Sequence, residues 1–288
     1  YLPRIWQAGT LNGKAFSFPW YLTTNVTIYN QDLLTKAGVL KPPTTYQELA
    51  QAAKQIKEKT GKYALFTTFV PEDSNDVLES LVQMGVELVD KQGKAAFNTP
   101  AGKAAFQYWV DLYQQGLLPK ESLTQGHQQG IQLYQAGETA MLSAGAPFIE
   151  TIAKNAPQIA KVSAVAPQIS GQTGKKGVAV MNLVIPRTTN KPDAAVKFAL
   201  FITNATNQLA FAQVSDTLPS NDRAVTEYKT KLTSSADKSV LAKGKLISAE
   251  QLSQSDVLIP PLKNLSVLKK AIYDNLQAAM LGEKTVEQ

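Results

Sequence analysis

Residues 13–48 constrain this chain more than any other stretch, because they order a strand ahead of a helix and set two aromatic rings in that strand. Pro19 precedes Trp20 and Tyr21, a β-prone run follows from Val26 to Tyr29, and Thr45 opens a helix. Pro42-Pro43 keeps the chain extended just before that start. Thr45-Tyr46-Gln47-Glu48 reads as a capping box, in which the Thr45 hydroxyl accepts from the third backbone amide and Glu48 reaches back. The helix then aligns Leu49, Ala52, Ala53 and Ile56 on one face and stops at Gly61.

The same alternation of helix and strand signals continues along the chain and predicts an α/β fold with mostly parallel sheets. Ala64 to Phe69 reads as a buried strand, and a second helix spans about 76–84 and ends at Gly85. Thr99-Pro100 is a Thr cap with Pro at the first helical position. Phe106, Trp109, Val110 and Tyr113 follow at helical spacing, which places Trp109 in the core. Further helices are expected near 128–135, 192–203 and 207–214, with strands at 162–166 and 178–185. The polar stretch 226–245 reads as surface helices, and Leu265, Leu268, Ile272 and Leu276 mark a final amphipathic helix.

Composition narrows the function classes. The chain has 288 residues, enough for one large core or two smaller ones, with 44% hydrophobic and 18% charged residues, as in ordinary globular proteins. No apolar run approaches the roughly 18 residues of a membrane span. No signal pattern is expected at Tyr1-Leu2-Pro3-Arg4, which opens directly into folded-looking sequence. With no Cys there are no disulfides, no Cys-ligated zinc and no thiol catalysis. The net charge of +6 is spread over scattered lysines without interleaved aromatics, so no nucleic-acid partner is expected. His127 is the single His and lacks the companions of a metal site, so no metal or cofactor is expected. Gly171 to Lys176 lacks phosphate-loop spacing and reads as a flexible hairpin, and no GxSxG elbow is present.

Several segments, in order, resemble the extracellular solute-binding proteins of ABC sugar importers, the maltose-binding-protein-like family. They are residues 13–48; Ala104 to Tyr113 with Gly116-Leu117-Leu118-Pro119; Gly137-Glu138-Thr139-Ala140-Met141 through Gly145; Val184-Ile185-Pro186 with Asp193 to Phe198; Leu218-Pro219; and Ile259-Pro260 with the last helix. The resemblance implies a two-lobe, type II periplasmic-binding-protein-like fold. Residues 1–24 and 179–222 would form lobe I, and 25–178 with 223–288 lobe II. The family's opening strand–helix units have no counterpart here, so the fold it implies is truncated at the N-terminus, with apolar surface of lobe I left open.

The site residues follow from the resemblance together with the chemistry of each side chain. Trp20 and Tyr21 supply flat faces on which sugar C–H faces can stack, though strand alternation should send them to opposite sides. Thr23 stands where the maltose-binding relative has a ligand-contacting carboxylate, and offers a hydroxyl instead. Glu72 and Asp73 can accept paired hydroxyl donors, or simply favour a helix N-terminus. Phe148 sits one residue away from the aromatic of the family's Gly-Pro-Trp-like turn, and Met181 and Asn182 lie on the second crossing strand.

The function implied is capture of a mono- or oligosaccharide between hinged lobes and delivery to the transmembrane permease subunits of an ABC transporter. A monomer is expected, periplasmic or extracellular, with a lipid anchor through the missing N-terminus. Two rival readings are an enzyme using a carboxylate pair among Glu72, Asp73 and Glu138, and a sensing partner without transport.

Overall fold

The computed structural model describes residues 1–288 except Asn12, Pro260 and Lys263, so the Pro260 end of the last matched segment lies outside the described residues. The chain folds into two units. The first gathers Tyr1–Val26, Ala144–Phe148 and Lys176–Val257; the second gathers Thr27–Ser143, Ile149–Lys175 and Leu258–Gln288.

The first unit is built on a three-stranded sheet ordered Ala179–Leu183, Phe18–Thr23, Leu218–Pro219. Both pairings are antiparallel, with Leu22 opposite Val180 on one side and Leu218 on the other. The expected parallel order is absent here because no crossover helix joins two strands that pair with one another. Leu22 is fully buried and packs with Leu209, Leu218, Val225, Tyr228 and Leu252. That core corrects the expected lobe boundary. The helices Asp222–Ser234 and Val240–Glu250 belong to the first unit, because Ala224, Val225, Tyr228 and Ala249 complete its core. Thr24 fastens the point where the chain leaves the unit: its hydroxyl donates to the Gly177 carbonyl at 3.0 Å and accepts from Gln251 Nε2 at 3.0 Å.

In the second unit residues 27–30 pair antiparallel with 163–166, from Thr27 opposite Ala166 to Asn30 opposite Ser163. Helix Tyr46–Thr60 starts as its sequence predicts, with Glu48 N donating to Thr45 Oγ1 at 3.1 Å. The return arm shifts by one residue: Glu48 Oε2 accepts from Thr44 N at 2.7 Å, and these bonds hold its carboxyl down at about 2. Gly61 ends the helix at φ 71°, a left-handed conformation that glycine adopts without strain. Residues 64–69, expected as a strand, form none. Their backbone bonds go singly to other segments, with Met141 N donating to Ala64 O and Phe69 N to Ser122 O. Trp109 is buried, and its Nε1 donates to Ser80 Oγ at 2.9 Å.

Helix Asp76–Gln83 carries two acids into this apolar setting. Burial, and then the neighbouring Asp76 charge, pushes the Glu79 carboxyl from its ordinary 4.5 up to about 7. Burial pushes Asp76 up as well, against the pull of His127 and the Ser74 hydroxyl. An acid with a raised folded-state pKa gives stability that is complete below its unfolded value and is lost as pH rises through the folded one. The melting temperature of this unit should therefore fall between about pH 4.5 and pH 7, by about 5 °C, and Glu79→Gln should flatten the slope. An unchanged slope in the variant would show that Glu79 is not the titrating group.

Candidate functional site

The first unit encloses a cavity of about 320 Å³ where the strand Phe18–Thr23 ends. Its apolar lining comes from Leu22, Leu218 and the turn Gly145-Ala146-Pro147-Phe148. Its polar lining comes from Asp216 and Thr217 on the loop after helix Ala205–Ser215 and from Tyr228, Lys245 and Ser248 on the two helices that follow.

Asp216 is placed by an unusual backbone. It is the one non-glycine described residue with positive φ, at 56°, where it terminates the preceding helix. Asp tolerates this region better than most residues, since its short polar side chain bonds locally. Its Oδ1 meets Lys245 Nζ at 2.6 Å, with both side chains largely withdrawn from solvent. The pair cancels within the cavity, leaving polar atoms without net charge. Burial, reinforced by Asp216, pushes the Tyr228 hydroxyl up to about 12, so it stays a neutral donor. Ser248 Oγ is buried with no hydrogen-bond partner among the described residues. A neutral ligand rich in hydroxyls matches such polar groups, and Phe148 offers a ring for an apolar face.

Two of the sequence-derived candidates, Thr23 and Phe148, line this cavity together. Trp20 and Tyr21 form a different feature. A register shift between Pro19 and Tyr21 interrupts the alternation of the strand. The two adjacent rings therefore stand side by side, 5.0 Å apart, instead of on opposite faces as expected. Both lie against Phe211, at 5.0 Å from Trp20 and 5.7 Å from Tyr21. Met181 and Asn182 sit on the neighbouring strand, opposite Tyr21 and Pro19. Asn182 Oδ1 accepts from Ser17 Oγ at 3.0 Å, and Met181 is exposed.

Glu72 and Asp73 belong to the second unit. Glu72 lines an open groove of about 750 Å³ with Asn75, Leu265, Ser266, Lys269 and Lys270. Asp73 Oδ2 accepts from His127 N at 2.9 Å, so it caps helix His127–Gln135 from a distant loop. Sequence reasoning passed over Phe211, Asp216, Tyr228, Lys245 and Ser248. Only the polar Ser215-Asp216-Thr217 run before Leu218-Pro219 marked that wall in the sequence. Among the described residues no cluster of three or more His, Cys, Asp or Glu could hold a metal ion, and no helix is long and apolar enough to cross a membrane.

The family is shown by its profile: bacterial extracellular solute-binding protein matches residues 1–209, and the chain belongs to that family. Its fold is the α/β fold of periplasmic solute-binding proteins. Among solved structures it is similar to a candidate oligosaccharide periplasmic-binding protein of Synechococcus sp. MITs9220, at 42% identity and TM-score 0.95, over 100% of this chain and 73% of that one. It is 28% identical to an assigned ABC transporter-binding protein of Deinococcus radiodurans, over 72% of this chain and 52% of the relative. It is 22% identical to the arabinooligosaccharide-binding protein of Halalkalibacterium halodurans, over 71% and 45%. The chain spans about half the length of the curated relatives it matches. The family and these relatives are binding proteins.

Capping by Asp73 gives a direct expectation. Asp73→Ala should cost about 1 kcal/mol of stability in thermal unfolding, while Asp73→Asn, which keeps an acceptor, should cost a few tenths. Equal losses in both variants would mean that the charge matters and not the cap.

Proposed function

We propose that this chain is the substrate-binding component of an ABC importer, capturing a neutral mono- or oligosaccharide outside the cytoplasmic membrane and delivering it to transmembrane permease subunits. The observation that carries the reading is the first-unit cavity, whose lining combines Phe148 with hydroxyl-bearing residues and an internally cancelled ion pair. Sugars present an apolar C–H face and a rim of hydroxyls, and that pattern has its counterpart in this lining. Thr23, whose hydroxyl has no partner among the described residues, takes part as a hydroxyl partner in this reading. The half-buried Trp20–Tyr21 pair extends the platform, with Met181 and Asn182 beside it; Glu72 lines a separate groove within the second unit. The Synechococcus and Halalkalibacterium relatives, by the ligands their names carry, favour an oligosaccharide over a single sugar.

In this reading the sugar is bound and released unchanged, as befits a family of binding proteins. Of the carboxylates an enzyme would use, Glu138 is tied to Lys62 Nζ at 2.7 Å and Asp73 accepts the His127 amide. Both carboxylates therefore already have structural partners within the second unit.

Isothermal titration with arabino- and malto-oligosaccharides tests the proposal, with chromatography of the recovered sugar. Saturable binding near micromolar, about 8 kcal/mol, is expected with the sugar unchanged. Phe148→Ala should weaken it about tenfold, the loss of one stacked ring. Binding should be nearly insensitive to salt, since no net charge is recognised. Cleaved products would overturn the proposal, as would a preference for anionic solutes that falls steeply with salt.

A further inference from the structure

Asp216 holds a backbone position better suited to glycine. Its φ of 56° closes helix Ala205–Ser215 in the left-handed region, and every other described residue with positive φ is glycine. Asp is tolerated there, but its Cβ still crowds the backbone where glycine meets no strain. The turn does not depend on the Asp216 side chain. Ser215 Oγ donates to the Phe211 carbonyl at 2.8 Å and lies 2.7 Å from Thr217 Oγ1, so hydroxyls on both sides of Asp216 fasten the loop. The Asp216 carboxylate instead reaches Lys245 Nζ, 2.6 Å away on helix Val240–Glu250. These two are the charged residues in the described lining of the first-unit cavity, and the remainder of that lining is apolar or neutral. Asp237 also feels the Lys245 charge, but it lies outside the lining, is exposed, and accepts from Ser239 N at 2.8 Å. A strained residue whose side chain does nothing for its own turn persists where the strain serves a site.

We infer that Asp216 sets the charge class of solute this cavity accepts: its carboxylate neutralises Lys245 and so keeps anionic sugars out of a site for neutral ones. The inference rests on the proposed sugar site and deepens it by naming a specificity-determining residue. Uronates and sugar phosphates carry the same ring faces and hydroxyls as neutral sugars, so an aromatic ring and a set of hydroxyls accept both. An ammonium left open in this lining would favour the anions, because charge-assisted hydrogen bonds are about twice as strong as neutral ones. With Asp216 in place, an incoming carboxylate meets a like charge and gives up its water without a free cation to replace it. Glycine would seat the turn without strain but leave Lys245 open to anions. Asn would tolerate the same backbone and fail in the same way. An acid alone both reaches Lys245 and cancels it, and Asp is the acid this backbone region tolerates.

Calorimetric titration of the 288-residue chain with maltotriose, trigalacturonate and inorganic phosphate tests the inference. The variants are Asp216→Gly, Asp216→Asn, Lys245→Met, and Asp216→Gly combined with Lys245→Met. The unaltered chain should bind neither anion measurably. Both Asp216 single variants should gain about tenfold in affinity for trigalacturonate and for phosphate, the gain fading as salt rises. The double variant should lose that gain, since the ammonium that attracts the anion is gone. Thermal unfolding gives a second readout. In the Lys245→Met background, Asp216→Gly should raise Tm by about 2 °C, the strain being relieved with no partner lost. The inference is overturned if the unaltered chain takes trigalacturonate as tightly as the single variants do, or if the gain survives in the double variant. It is also overturned if Asp216→Gly lowers Tm in the Lys245→Met background. Failure of maltotriose to bind the unaltered chain would instead sink the sugar reading, and the anion and melting readouts judge Asp216 without it.

Discussion

The antiparallel seating of Phe18–Thr23 between Ala179–Leu183 and Leu218–Pro219 is the constraint on which the rest of the first unit depends. Three segments far apart in the chain meet there, and Leu22, fully buried, sits at their junction. Because side chains alternate along a strand, fixing Leu22 inward turns Thr23 outward, where it is exposed. The register shift at Pro19 and Tyr21 then breaks the alternation where two rings need to share one side. A strand without the bulge would spend one of those rings on the opposite face.

Polar pairing decides where the chain may leave this sheet. Thr24 and Gln251 bind one another, the Gly177 carbonyl and the Asn25 carbonyl. A buried hydroxyl and amide satisfied in this way hold a unique arrangement, since each would cost about 1–3 kcal/mol if stranded. Thr23, one residue earlier, is exposed, and Thr24 carries the structural duty. The cavity wall shows the converse. Asp216 and Lys245 satisfy one another, while Ser248 Oγ is buried without a partner among the described residues.

Much of the fold was legible where local chemistry decides it. Thr45 with Glu48, and Thr99 with Pro100, start helices in the structure where the sequence places starts, because a cap is a contact between near neighbours. What was not legible is non-local. Residues 64–69 have the composition of a strand, but their backbone partners, Met141 and Ser122, lie in two distant segments that no periodicity reveals. The helices after Asp222 carry small and polar residues compatible with either unit, and only the meeting of Val225, Tyr228 and Leu252 with Leu22 assigns them. The same holds for the cavity. Thr23 and Phe148 were found through the family resemblance, whereas Tyr228, Lys245 and Ser248 reach the wall from helices whose patterns report only their own amphipathicity. Trp20 and Tyr21 were identified as a pair but misassigned to opposite faces, since nothing in Pro-Trp-Tyr announces a bulge.

The central claim is that a neutral sugar is held by the first unit's cavity without being altered. A crystal structure of the chain grown with an arabino- or malto-oligosaccharide tests it most directly. The account predicts an intact sugar ring over Phe148, with hydroxyls reaching Thr23, Ser248 and the Asp216–Lys245 pair. A cleaved sugar, or an intact one bound elsewhere while this cavity holds only water, would contradict it.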